Sequence, residues 1–228
     1  MGLAQSAATQ LLALATGVLM VTSALFVWRR SLDAAVRLLV VQGIAMAGLV
    51  VTIARGEGEA QLLLVAGMVL AVKGAAIPAM VGRAVRATGA DREDAPRLNP
   101  TAGLVLVALL STVAYLVSRP IIQGTADHAV GQAGPAAFAV PVGITMVLIG
   151  LLLLATRRRA LSQLVGFLVL DNGIATVAFL TAAGVPFVVE LGVSFDVLLI
   201  ALILALLSGR MHDLIGASGV DRMTELRD

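Results

Sequence analysis

The amino-acid sequence predicts an all-α integral membrane protein with about seven transmembrane helices. Of its 228 residues, 59% are hydrophobic and only 13% are charged, whereas ordinary soluble domains carry about a quarter charged residues. The hydrophobic residues form stretches of the length, about 20 residues, that crosses a bilayer as a helix. These runs are unbroken, whereas the strands of a transmembrane barrel alternate in polarity over about ten residues.

The seven expected spans lie in a single polytopic membrane domain that takes up residues 1–228. They are, in order, Ala7–Val27, Ala34–Ala54, Gln61–Val81, Thr101–Ser118, Ala136–Thr156, Leu161–Thr181 and Val188–Leu207. Helices 1–3 thus cover about residues 7–81, helix 4 covers about 101–118, and helices 5–7 cover about 136–207. The two longer connections, Gly82–Pro100 and Arg119–Pro135, are expected to be surface loops. The first span has no basic residue before it and no clear cleavage signal, so we interpret it as a spanning helix rather than a signal peptide.

Arginines mark every second connection between the predicted spans, and this alternation predicts the topology. The odd-numbered connections and the tail carry most of them: Arg29, Arg30, Arg83, Arg86, Arg92, Arg97, Arg157, Arg158, Arg159, Arg210, Arg222 and Arg227. Because basic residues favour the cytoplasmic side, we expect the N-terminus outside and the C-terminus in the cytoplasm. The location expected is a cytoplasmic (inner) membrane of the bacterial type.

A weak internal repeat favours two parallel three-helix units joined by helix 4. Arg29-Arg30 precedes a span that contains Gln42-Gly43-Ile44-Ala45, and Arg158-Arg159 precedes a span that contains Asn172-Gly173-Ile174-Ala175 at nearly the same offset. An odd connecting helix gives both units the same orientation, and internal repeats are common in transport folds. Coincidence in a restricted apolar alphabet is the alternative explanation.

Composition also excludes several functions. The chain has no cysteine, which excludes the usual iron–sulfur ligation and thiol catalysis. His128 and His212 both fall outside the predicted spans. We therefore expect this chain to bind no cofactor or metal. The isoelectric point near 9.9 is explained by arginines at helix ends, so no nucleic-acid partner is expected.

Lys73, the only lysine in the chain, lies within an apolar stretch. An ionisable residue inside a membrane indicates a functional site by default. Pro78 follows five residues later, and because proline has no N–H it weakens the preceding helical turn near Gly74. The alternative is a lysine that snorkels to an interface, but the apolar residues that separate it from Arg83 make that a long reach.

Four polar residues on predicted helices 2 and 6 extend this candidate site. Asp171 is expected near the middle of helix 6, where an ionised carboxylate is expensive unless a cation such as Lys73 is close. Gln42, Asn172 and Gln163 would form interhelical hydrogen bonds, either to tune a relay or simply to pack helices.

Glu190 and Asp196 on predicted helix 7 complete the set of intramembrane charges. Asp196 is the deeper of the two and is expected to act in a relay. Glu190 is near the external interface, so a solvated structural role is equally consistent with its position. The predicted proton relay therefore consists of Lys73, Asp171, Asp196 and Glu190.

Three segments resemble one family in the same order. The stretch from Arg157 to Ile174 contains Gly-Phe-Leu-Val-Leu-Asp-Asn-Gly-Ile and resembles the Gly-Phe-Leu-x-x-Glu-Asn-Gly-Ile pattern of hydrogenase-4 component E. The stretch Pro186–Asp196 resembles that family's Val-Glu-Leu-Gly segment with a following acid. Lys73 with Ile77-Pro78 resembles its third-helix motif. That family is similar to the K subunit of respiratory complex I and to the C subunit of Mrp-type antiporters.

The resemblance implies a non-catalytic subunit of a group 4 hydrogenase, formate hydrogenlyase or complex I-like assembly, where redox energy drives ion movement through membrane subunits. By position, Asp171 replaces the family glutamate of helix 6, with a side chain one methylene shorter, and Asp196 replaces the acid of the final helix. The partners implied are antiporter-like and other membrane subunits, together with the lipid bilayer. The alternative is an independent small transporter, or a structural or assembly subunit with no ion path.

Overall fold

The computed structural model describes residues 2–57, 60–88, 98–128 and 139–181. The chain divides into two compact units, Met1–Val189 and Glu190–Asp228, and every described residue belongs to the first. The last predicted span, Val188–Leu207, lies outside the described residues, as do Glu190 and Asp196. The seven-helix count and the single domain over residues 1–228 therefore stay predictions.

The described part of the chain is built from helices, which confirms the all-α membrane class. Five of its helical stretches are long and apolar enough to cross a membrane. A sixth helix, equally apolar, is shorter at 17 residues. The helices are α1 (Gly2–Trp28), α2 (Leu32–Glu57), α3 (Ala60–Val69), α4 (Ile77–Thr88), α5 (Pro100–His128), α6 (Val140–Thr156) and α7 (Ala160–Thr181). A π-helical segment, Leu70–Ala76, joins α3 to α4 and makes the two a single rod.

Two connections are shorter than the sequence predicts. Predicted loop Gly82–Pro100 begins as helix, because α4 continues to Thr88. Here α4 is amphipathic: Val81, Ala84 and Val85 are buried while Arg83 is exposed, so burial continues beyond the apolar run. The predicted loop Arg119–Pro135 also begins as helix, because α5 runs to His128 through Pro120. Hydrophobicity marks where a chain crosses a membrane and does not mark where its helical hydrogen bonds end.

Aromatic and basic side chains lie at the two ends of the bundle, where the membrane interfaces are expected. Trp28, the only tryptophan of the chain, is half exposed at the end of α1. At the far end of the span Pro100–Pro120, Arg119 lies over the exposed ring of Tyr115, 5.5 Å from its centroid. From Pro100 to Arg119 an α-helix rises about 28 Å, close to the thickness of a hydrocarbon core. These positions are those that interfacial aromatic belts occupy.

Glycines let α6 and α7 pack with their backbones in contact. A Cβ atom added to Gly150 would lie 2.5 Å from the backbone nitrogen of Leu170, and one added to Gly173 would lie 2.6 Å from that of Val147. Gly143 and Gly166 make similarly close approaches. On each helix these glycines are seven residues apart, so they share one face. Small residues at interfaces are the usual means by which membrane helices approach each other closely.

The turns of two helical hairpins lie at the same end of the molecule, which we call the arginine-rich end. One hairpin is α1 with α2 and the other is α6 with α7. Arg157, between α6 and α7, donates from Nη2 to the carbonyl oxygens of Phe26 (2.8 Å) and Arg29 (3.0 Å) at the end of α1. This arrangement agrees with the orientation that the repeat requires. The repeat itself stays a prediction, because its sixth member falls outside the described residues.

A buried polar cluster as candidate functional site

Lys73 is directed into the bundle by the π-helical segment on which it lies. The N–H of Ile77 bonds to the carbonyl oxygen of Val72, five residues earlier, and Pro78 has no N–H to restore α-helical bonding. Val69, Lys73, Ile77 and Val81 are all buried. In a regular α-helix Val81 would lie about 120° around the axis from Val69. The wider π turn takes up this rotation, and π turns occur frequently at functional sites.

The ammonium group of Lys73 forms an ion pair with Asp171 on α7. Its Nζ donates to Oδ2 of Asp171 and to Oδ1 of Asn172 at 3.2 Å. All three side chains are buried. Lys73 lies close to the middle of the span Leu62–Arg86, and Asp171 lies close to the middle of Ala160–Thr181. The pair is therefore at mid-depth in the bundle, where neither group can reach an interface.

A line of hydrogen bonds continues from this pair to α1. Nδ2 of Asn172 donates to Oε1 of Gln42 on α2 at 3.0 Å, and Nε2 of Gln42 donates to Oγ of Ser23 on α1 at 2.9 Å. Oγ of Ser23 then donates to the carbonyl oxygen of Leu19 at 2.7 Å. We call Ser23, Gln42, Lys73, Asp171 and Asn172 the polar cluster. Its members come from four spans and are all buried.

The charge on Lys73 determines the direction of every bond in this line. An ammonium group only donates, so Asn172 must present its oxygen to Lys73 and its nitrogen to Gln42. Gln42 must then present its oxygen to Asn172 and its nitrogen to Ser23, which leaves the Ser23 proton for Leu19. Amide side chains neither gain nor lose protons at ordinary pH. The two titratable groups of the cluster are therefore Lys73 and Asp171, and the amides orient them.

The backbone of α2 touches the π-helical segment beside the cluster. A Cβ atom added to Gly43 would lie 2.4 Å from the Cα atom of Gly74. These two glycines directly follow Gln42 and Lys73 in the chain. Their contact holds the two polar side chains at the same depth and brings α2 close enough for Gln42 to reach Asn172.

The structure thus brings together Lys73, Asp171, Asn172 and Gln42 from the predicted set. Pro78 follows the π-helical segment and acts on the backbone rather than through a polar contact. Gln163 does not join the cluster: it is exposed, and its Nε2 donates to the carbonyl oxygen of Arg157 at 3.1 Å. Its bond is local to the start of α7, because residue 163 lies two turns before the depth of Asp171.

Ser23 is the member that sequence reasoning missed. Serine and threonine in membrane helices commonly bond to a carbonyl of their own helix, as Thr22 does here with Val18. Nothing in the sequence separates Ser23 from these residues. Its proximity to Gln42 is evident only from the packing of α1 on α2.

No group of three or more metal-ligating side chains occurs within the described ranges. Since the residues from 182 onwards lie outside them, the absence of a metal or cofactor stays a prediction. Within the cluster, Lys73 and Asp171 are the ionisable side chains, and the other members are two amides and a hydroxyl.

The fold and the cluster define a multi-pass membrane protein with a hydrogen-bonded ion pair at the centre of its bundle. The chain is 41% identical over 215 residues to "Uncharacterized protein Rv0085" of Mycobacterium tuberculosis, a match that covers 94% of each chain. It belongs to the same family as that mycobacterial protein.

More distant relatives support the resemblance to hydrogenase-4 component E. The proteins named "Hydrogenase-4 component E" from Escherichia coli and Shigella flexneri are each 26% identical to this chain over 125 residues. The match covers 55% of this chain and 56% of the relative. No family model matches the chain, and no solved structure matches it.

The contact between Gly43 and Gly74 yields a test of how the cluster is assembled. We expect Gly43→Ala to lower the free energy of unfolding by about 1–3 kcal/mol, because the added methyl group meets backbone that cannot rotate away. Gly48→Ala is the matched control on the same helix, since nothing lies within 4 Å of a Cβ atom there. Unfolding in detergent on titration with dodecyl sulfate measures both. Equal stability of the two variants would contradict the packing described.

Proposed function

We propose that this chain is a non-catalytic membrane subunit of a group 4 hydrogenase, formate hydrogenlyase or complex I-like assembly. Its polar cluster would form part of a proton or cation path. The distant similarity to component E supports membership of such a complex. The observation that carries the proposed path is the buried pair of Lys73 and Asp171 at mid-depth.

A buried pair of opposite charges suits a relay for an electrostatic reason. A lone charge in a low-dielectric interior is costly, and a paired charge costs much less. A charge that arrives nearby changes which protonation state of the pair is favoured. A redox-driven movement in a neighbouring subunit would therefore move a proton onto or off Asp171. Asn172 and Gln42 keep Lys73 oriented while this happens.

The path needs groups beyond the two that the cluster supplies. By the sequence argument, Asp196 and Glu190 on predicted helix 7 would continue it toward the outside. Antiporter-like subunits of the same complex would receive the proton beyond them. The exposed apolar side chains of α5, such as Leu109 and Leu116, supply a surface that lipid or such a subunit can cover.

Membership of a complex is tested by mild-detergent purification of a tagged chain from its native membrane. We expect other membrane subunits, including an antiporter-like one, to copurify in fixed ratio. The reason is the distant similarity to a protein named as one component of a hydrogenase. A monodisperse, active monomer would favour the independent transporter. If other subunits copurify but proton uptake does not need Lys73 or Asp171, the chain is a purely structural subunit.

The relay is tested by a double-mutant cycle on Lys73 and Asp171. Lys73→Met or Asp171→Asn alone leaves a buried charge unpaired, at a cost of about 3–5 kcal/mol. We expect each single change to abolish redox-linked proton uptake in vesicles and to impair assembly. The double change restores assembly in part, because no charge is left alone, while proton uptake stays lost.

Asp33→Asn is the matched control for that cycle, because it removes an exposed carboxylate at the start of α2. It should leave both assembly and proton uptake unchanged. Intact proton uptake in the single variants, or assembly defects that simply add, would exclude a relay through this pair.

The proposed topology places the arginine-rich end in the cytoplasm and the N-terminus outside. Because the chain has no cysteine, single cysteines can be introduced without removing any native one. We expect Gly131→Cys to react with an impermeant maleimide from the outside, and Ala90→Cys to react only after the membrane is opened. Reaction of both from the same side would contradict the proposed topology.

A further inference from the structure

A cavity lies at the arginine-rich end, between the end of α1, the start of α5 and the end of α6. Its polar lining consists of Arg30, Asn99, Thr156 and Arg157, and its apolar lining includes Val27 and Leu152. A second cavity adjoins it on the side of α2 and α7 and shares Arg30 and Arg157. Among the described residues that line either cavity, none has an acidic side chain.

The two shared arginines are held in different ways. Arg157 is fixed by its donation to the carbonyl oxygens of Phe26 and Arg29. Arg30 is exposed and lies in the turn between α1 and α2, so its guanidinium can adjust to a ligand. One preset and one adjustable arginine suit an anionic group that accepts several hydrogen bonds, such as a phosphate.

The start of α5 adds to the positive potential of the cavity. The side-chain oxygen of Asn99 accepts from Thr101 Oγ1 at 3.3 Å, and its carbonyl oxygen accepts from the N–H of Gly103 at 2.9 Å. Asn99 thus directly precedes α5, a helix of 29 residues, whose first N–H groups carry a partial positive charge.

The apolar side of the cavity indicates an amphiphile rather than a free ion. A Cβ atom added to Gly103 would lie 2.6 Å from Cγ1 of Val27. Because glycine has no side chain, α1 and α5 approach each other closely here, and Val27 gives this side of the cavity an apolar surface. Trp28 lies at the same end of α1, at the level where aromatic residues mark the membrane interface. A ligand here meets arginines on one side and hydrocarbon on the other.

We infer that this cavity binds the phosphate of an anionic membrane phospholipid, with the glycerol and upper acyl carbons against Val27 and Leu152. Basic pockets between helices at a cytoplasmic interface suit such headgroups. Topology alone explains why arginines collect at this end, but it does not require two of them to line a cavity with an apolar wall. The lipid would stabilise the contact between both hairpins and α5.

The test uses the full-length chain in mild detergent, titrated with phosphatidylglycerol, cardiolipin, phosphatidylcholine or inorganic phosphate, with binding read by native mass spectrometry. The first two lipids should bind and the last two should not. Arg30→Gln should weaken anionic lipid binding about fivefold, the effect of one basic residue near such a surface, and Arg30→Lys should recover most of it. Because Arg30 is exposed, these variants should fold normally.

Arg55→Gln is the matched control, because it removes an exposed arginine from the end of α2, away from both cavities. It should leave lipid binding unchanged. An equal loss in Arg30→Gln and Arg55→Gln would mean a general charge effect and would overturn the site. Equal binding of phosphatidylcholine, or binding of inorganic phosphate in place of lipid, would also overturn it.

Discussion

The ion pair between Lys73 and Asp171 is the interaction on which the packing of this bundle depends. Lipid tails are as apolar as leucine, so hydrophobicity alone does not select one rotation or depth for a membrane helix. A buried charge does, because every arrangement that separates the pair leaves a charge alone in a low-dielectric interior. Lys73 and Asp171 therefore fix the third span against α7. The amides of Asn172 and Gln42 extend the same constraint to α2.

The polar cluster and the glycine contacts depend on each other. Asparagine, glutamine and serine side chains are short, so they meet only where helices approach closely. The contact of Gly43 with Gly74 provides that approach beside Gln42 and Lys73. In return, the directional hydrogen bonds select the one register at which the glycines face their partners. Dispersion attraction alone would permit neighbouring registers, since it is weakly directional.

Much of this arrangement can be predicted from the sequence, because a bilayer strongly constrains the length of a spanning helix and the placement of charged residues. Span lengths follow from hydrophobicity, and Lys73 and Asp171 stand out because charges are rare in such segments. The ends of α4 and α5 cannot be predicted from hydrophobicity, because a helix continues past the membrane wherever its backbone hydrogen bonds are satisfied. The hydrogen bond between Ser23 and Gln42 cannot be predicted from the sequence, because it depends on which face of α1 packs against α2. Pro78 indicates a weakened turn, but only the packing shows that a π-helical segment carries Lys73 inward.

The same pair that stabilises the bundle limits what this chain can do alone. Lys73 and Asp171 carry opposite charges in their ion pair, so the pair as a whole has no net charge. The other charged side chains in the described ranges lie near or beyond the ends of the candidate membrane spans. A change of proton occupancy therefore needs a charge brought from elsewhere, from predicted helix 7 or from a neighbouring chain. The two parts of the proposed function, a relay and a dependent subunit, are for this reason linked: a relay built on a neutral pair requires a partner that disturbs it.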